Sequence, residues 1–324
     1  MLKVSGHGSN MASLRTALRV TALSKSLSTF SLGLFGIVED RNSSFMKGPA
    51  KAPSVIRRTF DCDSRNMTSE TGVQLGAIGA MRIKDFGDVE PADNTVAGMY
   101  KCISPVVKEI LSQKLYPLML GGDHSVTYPV VKAVTQCIKT PVTIVHFDAH
   151  PDFYPTFQNN PASHASPFAR IMEHGSNRDE PIICEKLISI GIRTLNAEQA
   201  EYIRKQGERR EGGEVTIIEA RNYPANMSDL LETFERLIPL DSPVYISVDI
   251  DVLDPAYAPG VSHRESGGLS VRQVVDAIQC IPRKVLGADV VEYNVDRDVD
   301  FLTASAASKI LKELAAKIIS SQNH

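Results

Sequence analysis

Three side chains with metal-binding chemistry, Asp148, His150 and Asp152, close an apolar, β-branched run that begins at Pro141. A run of this kind bounded by proline reads as a buried strand. Residues two apart in an extended chain point the same way, so the three side chains would converge at the strand's exit. A single aspartate there is ordinarily a turn residue; three ligand residues at alternate positions point to a metal. Two more stretches carry the same chemistry. Gly121 and Gly122 lead into Asp123 and His124, and the run from Val244 passes into Asp249, Asp251 and Asp254. Asp249 and Asp251 share a face by the same alternation, and a last strand ends at Asp289 and Glu292.

Burying several carboxylates together is costly unless cations compensate. Asp148, Asp152, Asp249 and Asp251 with His124 and His150 are too many ligands for one tetrahedral zinc. They suit a pair of oxygen-preferring divalent ions such as manganese. Such a pair lowers the pKa of a bridging water and makes hydroxide near neutral pH, so the implied chemistry is metal-assisted hydrolysis. Nearby groups have plainer roles. Asp254, in Leu-Asp-Pro, reads as a turn residue. Asp123 reads as a partner orienting a ligand rather than a ligand itself. His146 precedes the strand exit and reads as packing, and His7 and His324 lie at the termini.

These residues need strands to carry them. Apolar runs at 31–38, 81–89, 116–120, 141–147, 186–192, 215–219, 244–252 and 285–291 alternate with helical spacing at 95–114, 128–137, 167–174, 197–206, 227–238, 270–280 and 303–318. Ser54 is expected to cap a short helix and Thr303 the closing one. Pro105 is expected to kink or break the helix it falls in. Alternating strands and helices, with continuous apolar strands, argue for a parallel sheet covered on both faces. Ligands in such sheets bind outside the carboxyl ends of the strands, where the candidate residues fall. One domain over 29–324, after a leader at 1–28, is the economical reading.

The chain has 324 residues, 43% of them hydrophobic and 23% charged, with a net charge of -3. That balance suggests neither a nucleic-acid footprint nor a polybasic membrane anchor. No apolar run approaches the roughly 20 residues that span a bilayer. Cys62, Cys102, Cys137, Cys184 and Cys280 are scattered, with no Cys-x-x-Cys pair, which argues against a disulfide framework or a cysteine-rich zinc site. From Met1 to Gly36 there is no Asp or Glu, while Lys3, Arg15, Arg19 and Lys25 are spread among Ser, Thr, Ala and Leu. This fits an organellar transit peptide, with mitochondrial location expected and plastid or cytoplasm as alternatives; an ordinary loose terminus is the plain alternative.

Gly-Gly-Asp-His-Ser at 121–125, Asp-Ala-His-Pro-Asp at 148–152, Ser-His-Ala-Ser at 163–166 and Ser-Val-Asp-Ile-Asp-Val-Leu-Asp-Pro at 247–255 resemble the ureohydrolases, which include arginases and agmatinases. The resemblance runs from about residue 31 to the C-terminus. The segments 42–45, 163–173 and 260–263 look most like the plant-type arginase branch. The resemblance implies a three-layer α/β/α sandwich with a mostly parallel sheet, a binuclear manganese centre (two Mn2+ per chain, other divalent ions being possible) and a homotrimer or homohexamer. By motif, His124, Asp148, His150, Asp152, Asp249 and Asp251 match the ligands. His164 matches a histidine that transfers a proton to the leaving amine, a task suited to imidazole. Glu292 matches the glutamate that pairs with a substrate guanidinium.

The chain also departs from a pattern. Animal-type arginases carry Asp-Ile-Asn where this chain has Asp152-Phe153-Tyr154; tyrosine here occurs in agmatinases and in the plant-type branch. Tyr154 and His263 are expected to contact the substrate, and Arg264 either pairs with a substrate carboxylate or faces solvent. The expected reaction is cleavage of a guanidino C–N bond, releasing urea and an amine. Agmatine to putrescine leads because of Tyr154. L-arginine to ornithine is the close alternative, followed by guanidinobutyrate, guanidine and formiminoglutamate. A non-catalytic metal-binding assembly subunit is the reading from a different class. A single-zinc deacylase, in which His124 and Asp152 would have no ligand role, is a third.

Overall fold

The computed structural model describes residues 30–175, 180–209 and 213–323, so the expected leader at 1–28 lies outside the described residues. Strands and helices alternate in this order: β1 (Leu32–Ile37), α1 (Ala52–Phe60), β2 (Ile83–Val89), α2 (Val96–Ser112), β3 (Tyr116–Leu120), α3 (Thr127–Ile138), β4 (Val142–Phe147) and α4 (Pro167–Glu173), then β5 (Cys184–Ile192), α5 (Ala197–Arg209), β6 (Glu214–Glu219), α6 (Met227–Leu237), β7 (Val244–Asp249), α7 (Val271–Cys280), β8 (Val285–Val291) and α8 (Leu302–Ser320).

The strands form one eight-stranded sheet in the order β2-β1-β3-β8-β7-β4-β5-β6, and every pairing is parallel. Helices α1, α6, α7 and α8 pack with one another on one face, and α2, α3, α4 and α5 on the other. This is the expected three-layer α/β/α sandwich. Every residue of β1, β4 and β7 is buried, as strands covered on both faces require. Edge strand β6 is only half-buried.

Several local expectations are corrected. Pro105 lies inside α2 without ending it: Met99, Ile103, Val107 and Ile110 are buried on both sides of it, and α2 packs against α3. That burial outweighs the one backbone hydrogen bond a proline forfeits. Helix α1 begins at Ala52, so Ser54 is inside it, its hydroxyl donating to Lys51 O. Helix α8 begins at Leu302 behind Phe301, which has φ +57°, so Thr303 is not its cap. The Thr303 hydroxyl instead accepts from Gly260 N at 2.7 Å, tying α8 to the loop that carries His263. Strand β7 stops at Asp249, and residues 250–252 form a 3-10 turn.

Candidate active site

Four adjacent central strands, β3, β8, β7 and β4, deliver the candidate residues to one edge. At the end of β3 a Cβ on Gly122 would lie 1.7 Å from the carbonyl oxygen of Glu39. Glycine there lets Asp123 N donate to Glu39 O at 2.8 Å and Glu292 N to Gly122 O at 2.9 Å, stitching together the ends of β1, β3 and β8. Asp123 is buried and accepts from Ser125 N and from Asn42 N. It caps the 3-10 turn that carries His124, so its hold on that candidate ligand runs through the backbone. Burial, then the charge of Glu292, pushes its carboxyl up to about 7. Asp254 is the turn residue expected, accepting from the N–H groups of Ala256, Gly267 and Gly268.

The alternation argument is corrected in its geometry. β4 ends at Phe147, so Asp148, His150 and Asp152 lie in the loop beyond it. Asp148 Oδ1 accepts from His150 N at 2.6 Å, and Asp152 adopts φ +48°, a left-handed turn rare outside glycine. Asp249 caps the 3-10 turn that carries Asp251, accepting from Asp251 N at 2.8 Å. Arg193 holds that turn from behind, donating to Asp251 O and Glu265 O at 2.7 Å each.

The side chains nonetheless converge. His124, Asp148, Asp152 and Asp249 offer donor atoms within 4.8 Å of one another; Asp148, His150 and Asp251 do the same, so Asp148 belongs to both sets. His124 Nδ1 lies 3.2 Å from Asp148, 3.0 Å from Asp152 and 3.4 Å from Asp249. His150 Nδ1 lies 3.0 Å from Asp251 and 3.4 Å from Asp148.

The protonation pattern tests whether cations fit. The Ser247 hydroxyl donates to Asp289 Oδ1 at 2.6 Å, so it accepts from His124 Nε2–H at 3.0 Å. In a neutral ring this leaves Nδ1 with its lone pair turned toward three carboxylate oxygens. That atom is fully buried and has no hydrogen-bond partner. Only a cation or an added proton between those groups makes the arrangement tolerable. Two overlapping sets, each of one imidazole with carboxylates, fit a pair of hard divalent ions. A single-zinc site would leave His124 and Asp152 unexplained.

The buried charges push one another apart. Burial raises Asp249, and Asp251 and Asp148 push it further up. Burial also acts to raise Asp148, but His124, His146 and His150 outweigh it and hold that carboxyl well down. His146 does more than pack: its Nε2 is 2.8 Å from Asp148 Oδ2 and its Nδ1 is 3.0 Å from Ser189 Oγ. Its two-residue spacing from Asp148 was the available signal.

A cavity of about 190 Å³ opens over this basin, with His150, Asp152, Asp249 and Asp251 at its lining and His164 and Glu292 beside them. His164 Nδ1 is 2.9 Å from Glu292 Oε1, which also accepts from His124 N at 2.9 Å. Burial lowers His164, but Glu292 outweighs it and brings the ring up to about 9. Glu292 is itself held down, burial being outweighed by His164, and its backbone sits at φ +62°. Tyr154 and His263, expected to contact the substrate, line the cavity. Arg264 does not: its guanidinium donates to Pro259 O and Arg297 O. Thr194, Gln199 and Glu265 also line the cavity and were not singled out by sequence, as does Ser44, whose segment was noted without a role for it.

Fold and basin together define a metal-dependent hydrolase of the α/β/α kind. The chain belongs to the arginase family, whose model, described as "Arginase family", matches residues 30–316. It is 43% identical over 298 residues to "Arginase 1, mitochondrial" of Arabidopsis thaliana, covering 89% of this chain and 81% of that one. Its structure is similar to that of an arginase from Medicago truncatula, with a TM-score of 0.74 at 37% identity over 89% of this chain and 87% of that one. It is also similar to an agmatine ureohydrolase of Thermoplasma volcanium, with a TM-score of 0.73 at 28% identity over 93% and 94%. The protein is a ureohydrolase that depends on metal.

Proposed function

We propose that this chain hydrolyses L-arginine to urea and ornithine with two manganese ions. The observation that carries the substrate is the likeness to plant arginases across most of the chain, one of whose structures matches at 37% identity against 28% for the agmatine ureohydrolase. Agmatine led on the sequence alone through Tyr154; the likeness to plant arginases moves L-arginine ahead of it.

One ion would be held by His124, Asp148, Asp152 and Asp249, the other by Asp148, His150 and Asp251, with Asp148 shared. When bound, such a pair supplies Lewis acidity and brings the pKa of water toward neutrality. Glu292 presents a carboxylate that pairs with a planar guanidinium and orients it over the basin. His164, kept protonated by Glu292, hands a proton to the departing amine nitrogen. Glu265 at the cavity lining suits the α-ammonium of the substrate tail.

Agmatine remains the second reading on a specific observation. No Arg or Lys lines the cavity among the described residues, and His263 is pushed down by burial and by His164, so it stays neutral. A tail without a carboxylate needs no cation there. Urea release by manganese-loaded protein from arginine, agmatine, guanidinobutyrate and guanidine tests the choice. Arginine is expected to be turned over best; release from agmatine with none from arginine overturns the reading. The acid-free leader and the mitochondrial relative support a mitochondrial location, and the family likeness supports a homotrimer or homohexamer.

A further inference from the structure

The segment Asn42-Ser43-Ser44-Phe45 stood out in the sequence and has no part in the roles above. It follows β1 and is pinned on several sides. Asn42 N and the Ser43 hydroxyl donate to Asp123 Oδ2 at 3.0 and 3.4 Å. Asn42 Oδ1 accepts from the side-chain amides of Asn94 and Asn160, each at 3.0 Å. His164 N donates to Asn42 O at 3.2 Å, so the loop bearing His164 rests on this segment. Ser44 then places its hydroxyl 2.8 Å from His164 Nε2 and lines the cavity.

The two ring nitrogens of His164 are therefore in different company. Nδ1 faces the Glu292 carboxylate, which only accepts, so a proton stays on Nδ1 in both charge states of the ring. Nε2 is the nitrogen that gains and gives up the second proton, and Ser44 is its partner. A hydroxyl suits that place because it donates to a bare nitrogen and accepts from a protonated one. A methyl group does neither.

We propose that Ser44 is a positioning residue of the hydrolytic site, its hydroxyl holding the His164 ring by Nε2, through both of its charge states, at the cavity lining. In the step it serves, the Nε2 proton leaves its contact with Ser44 for the departing amine nitrogen: the Nε2–H and C–N bonds break, the C–N electron pair stays on that nitrogen, and a new N–H bond forms on it. This rests on the reading of His164 as the proton carrier.

The test uses the full chain, manganese-loaded, as wild type, S44A and S44T, with two readouts. Urea release gives kcat and KM. Carbethoxylation by diethylpyrocarbonate without substrate, read by peptide mass spectrometry, gives the reactivity of His164, with His263 as internal reference. In S44A, kcat is expected to fall about tenfold, the worth of one hydrogen bond, with KM little changed. His164 is expected to be labelled several-fold faster while His263 is unchanged, and S44T restores both values. Wild-type kcat in S44A overturns the proposal, as does a lowered kcat with unaltered His164 labelling. S44C, which keeps the shape and loses the strong hydroxyl, replaces S44A should the latter fold poorly. If no guanidino compound yields urea, the functional reading fails by itself, and the labelling ratio alone decides whether Ser44 holds the ring.

Discussion

His124 shows most directly what the basin is for. Its Nε2–H is spent on Ser247, and its Nδ1 is buried among Asp148, Asp152 and Asp249. Without a cation the fold answers with protons. His124 and His150 are held well above their ordinary range by the aspartates, against the pull of burial. Asp249 and Asp251 are raised chiefly by burial. A group raised in the fold gives stability that is full below its unfolded value and is lost as pH rises through the folded one. Asp148, held down, acts in the opposite sense. Metal-free protein should thus weaken as pH rises, while bound cations take over the role of those protons. The melting-temperature gap between manganese-loaded and chelator-stripped protein is expected to widen from about pH 5 to about pH 8. A gap that is flat or narrows with pH contradicts the assignment of these residues as ligands.

At the scale of elements, the strand ends carry the site and glycine sets their spacing. A Cβ on Gly122 would lie 1.7 Å from a backbone carbonyl, not from a side chain that could swing aside. Gly122→Ala is expected to cost about 1–3 kcal/mol in urea denaturation. It should also cut urea release sharply, because the turn that holds His124 must shift. Ser270→Ala is the control: it removes the capping box with Gln273 at the start of α7, expected to cost about 1 kcal/mol. Ser270 lines no part of the cavity, so activity should persist. Equal activity in both variants would show that the Gly122 contact does not govern the site.

At the scale of the whole molecule, the strand order does the assembling. β3 and β4 are consecutive in the chain, yet β8 and β7 lie between them. That order places His124, Glu292, Asp249 and Asp148 on four neighbouring strand ends, under helices on both faces. A fluorescent protein fused behind residues 1–30 is expected to collect in mitochondria; a fusion that stays in the cytosol contradicts the proposed targeting.

Much of this was legible in the residues themselves. The strand and helix alternation, the parallel sheet and the six donors are local patterns, and local patterns survive in one dimension. The cost of burying carboxylates without a cation is likewise a property of residue types. The alternation that first grouped Asp148 with His150 and Asp152 was the wrong geometry for side chains that do converge: β4 ends before them, and Asp152 sits in a left-handed turn. That Pro105 does not break its helix and that Thr303 does not cap one could not be seen in the sequence, because burial against α3 and the hydrogen bond to Gly260 come from residues far along the chain. Ser247 on His124 and Ser44 on His164 could not be read at all, and His146 on Asp148 was signalled only by its two-residue spacing. A serine is an ordinary surface residue until the fold sets it against an imidazole. The sequence by itself determined which chemistry the chain carries; strand order and loop contacts alone decided which nitrogen of each histidine faces the basin.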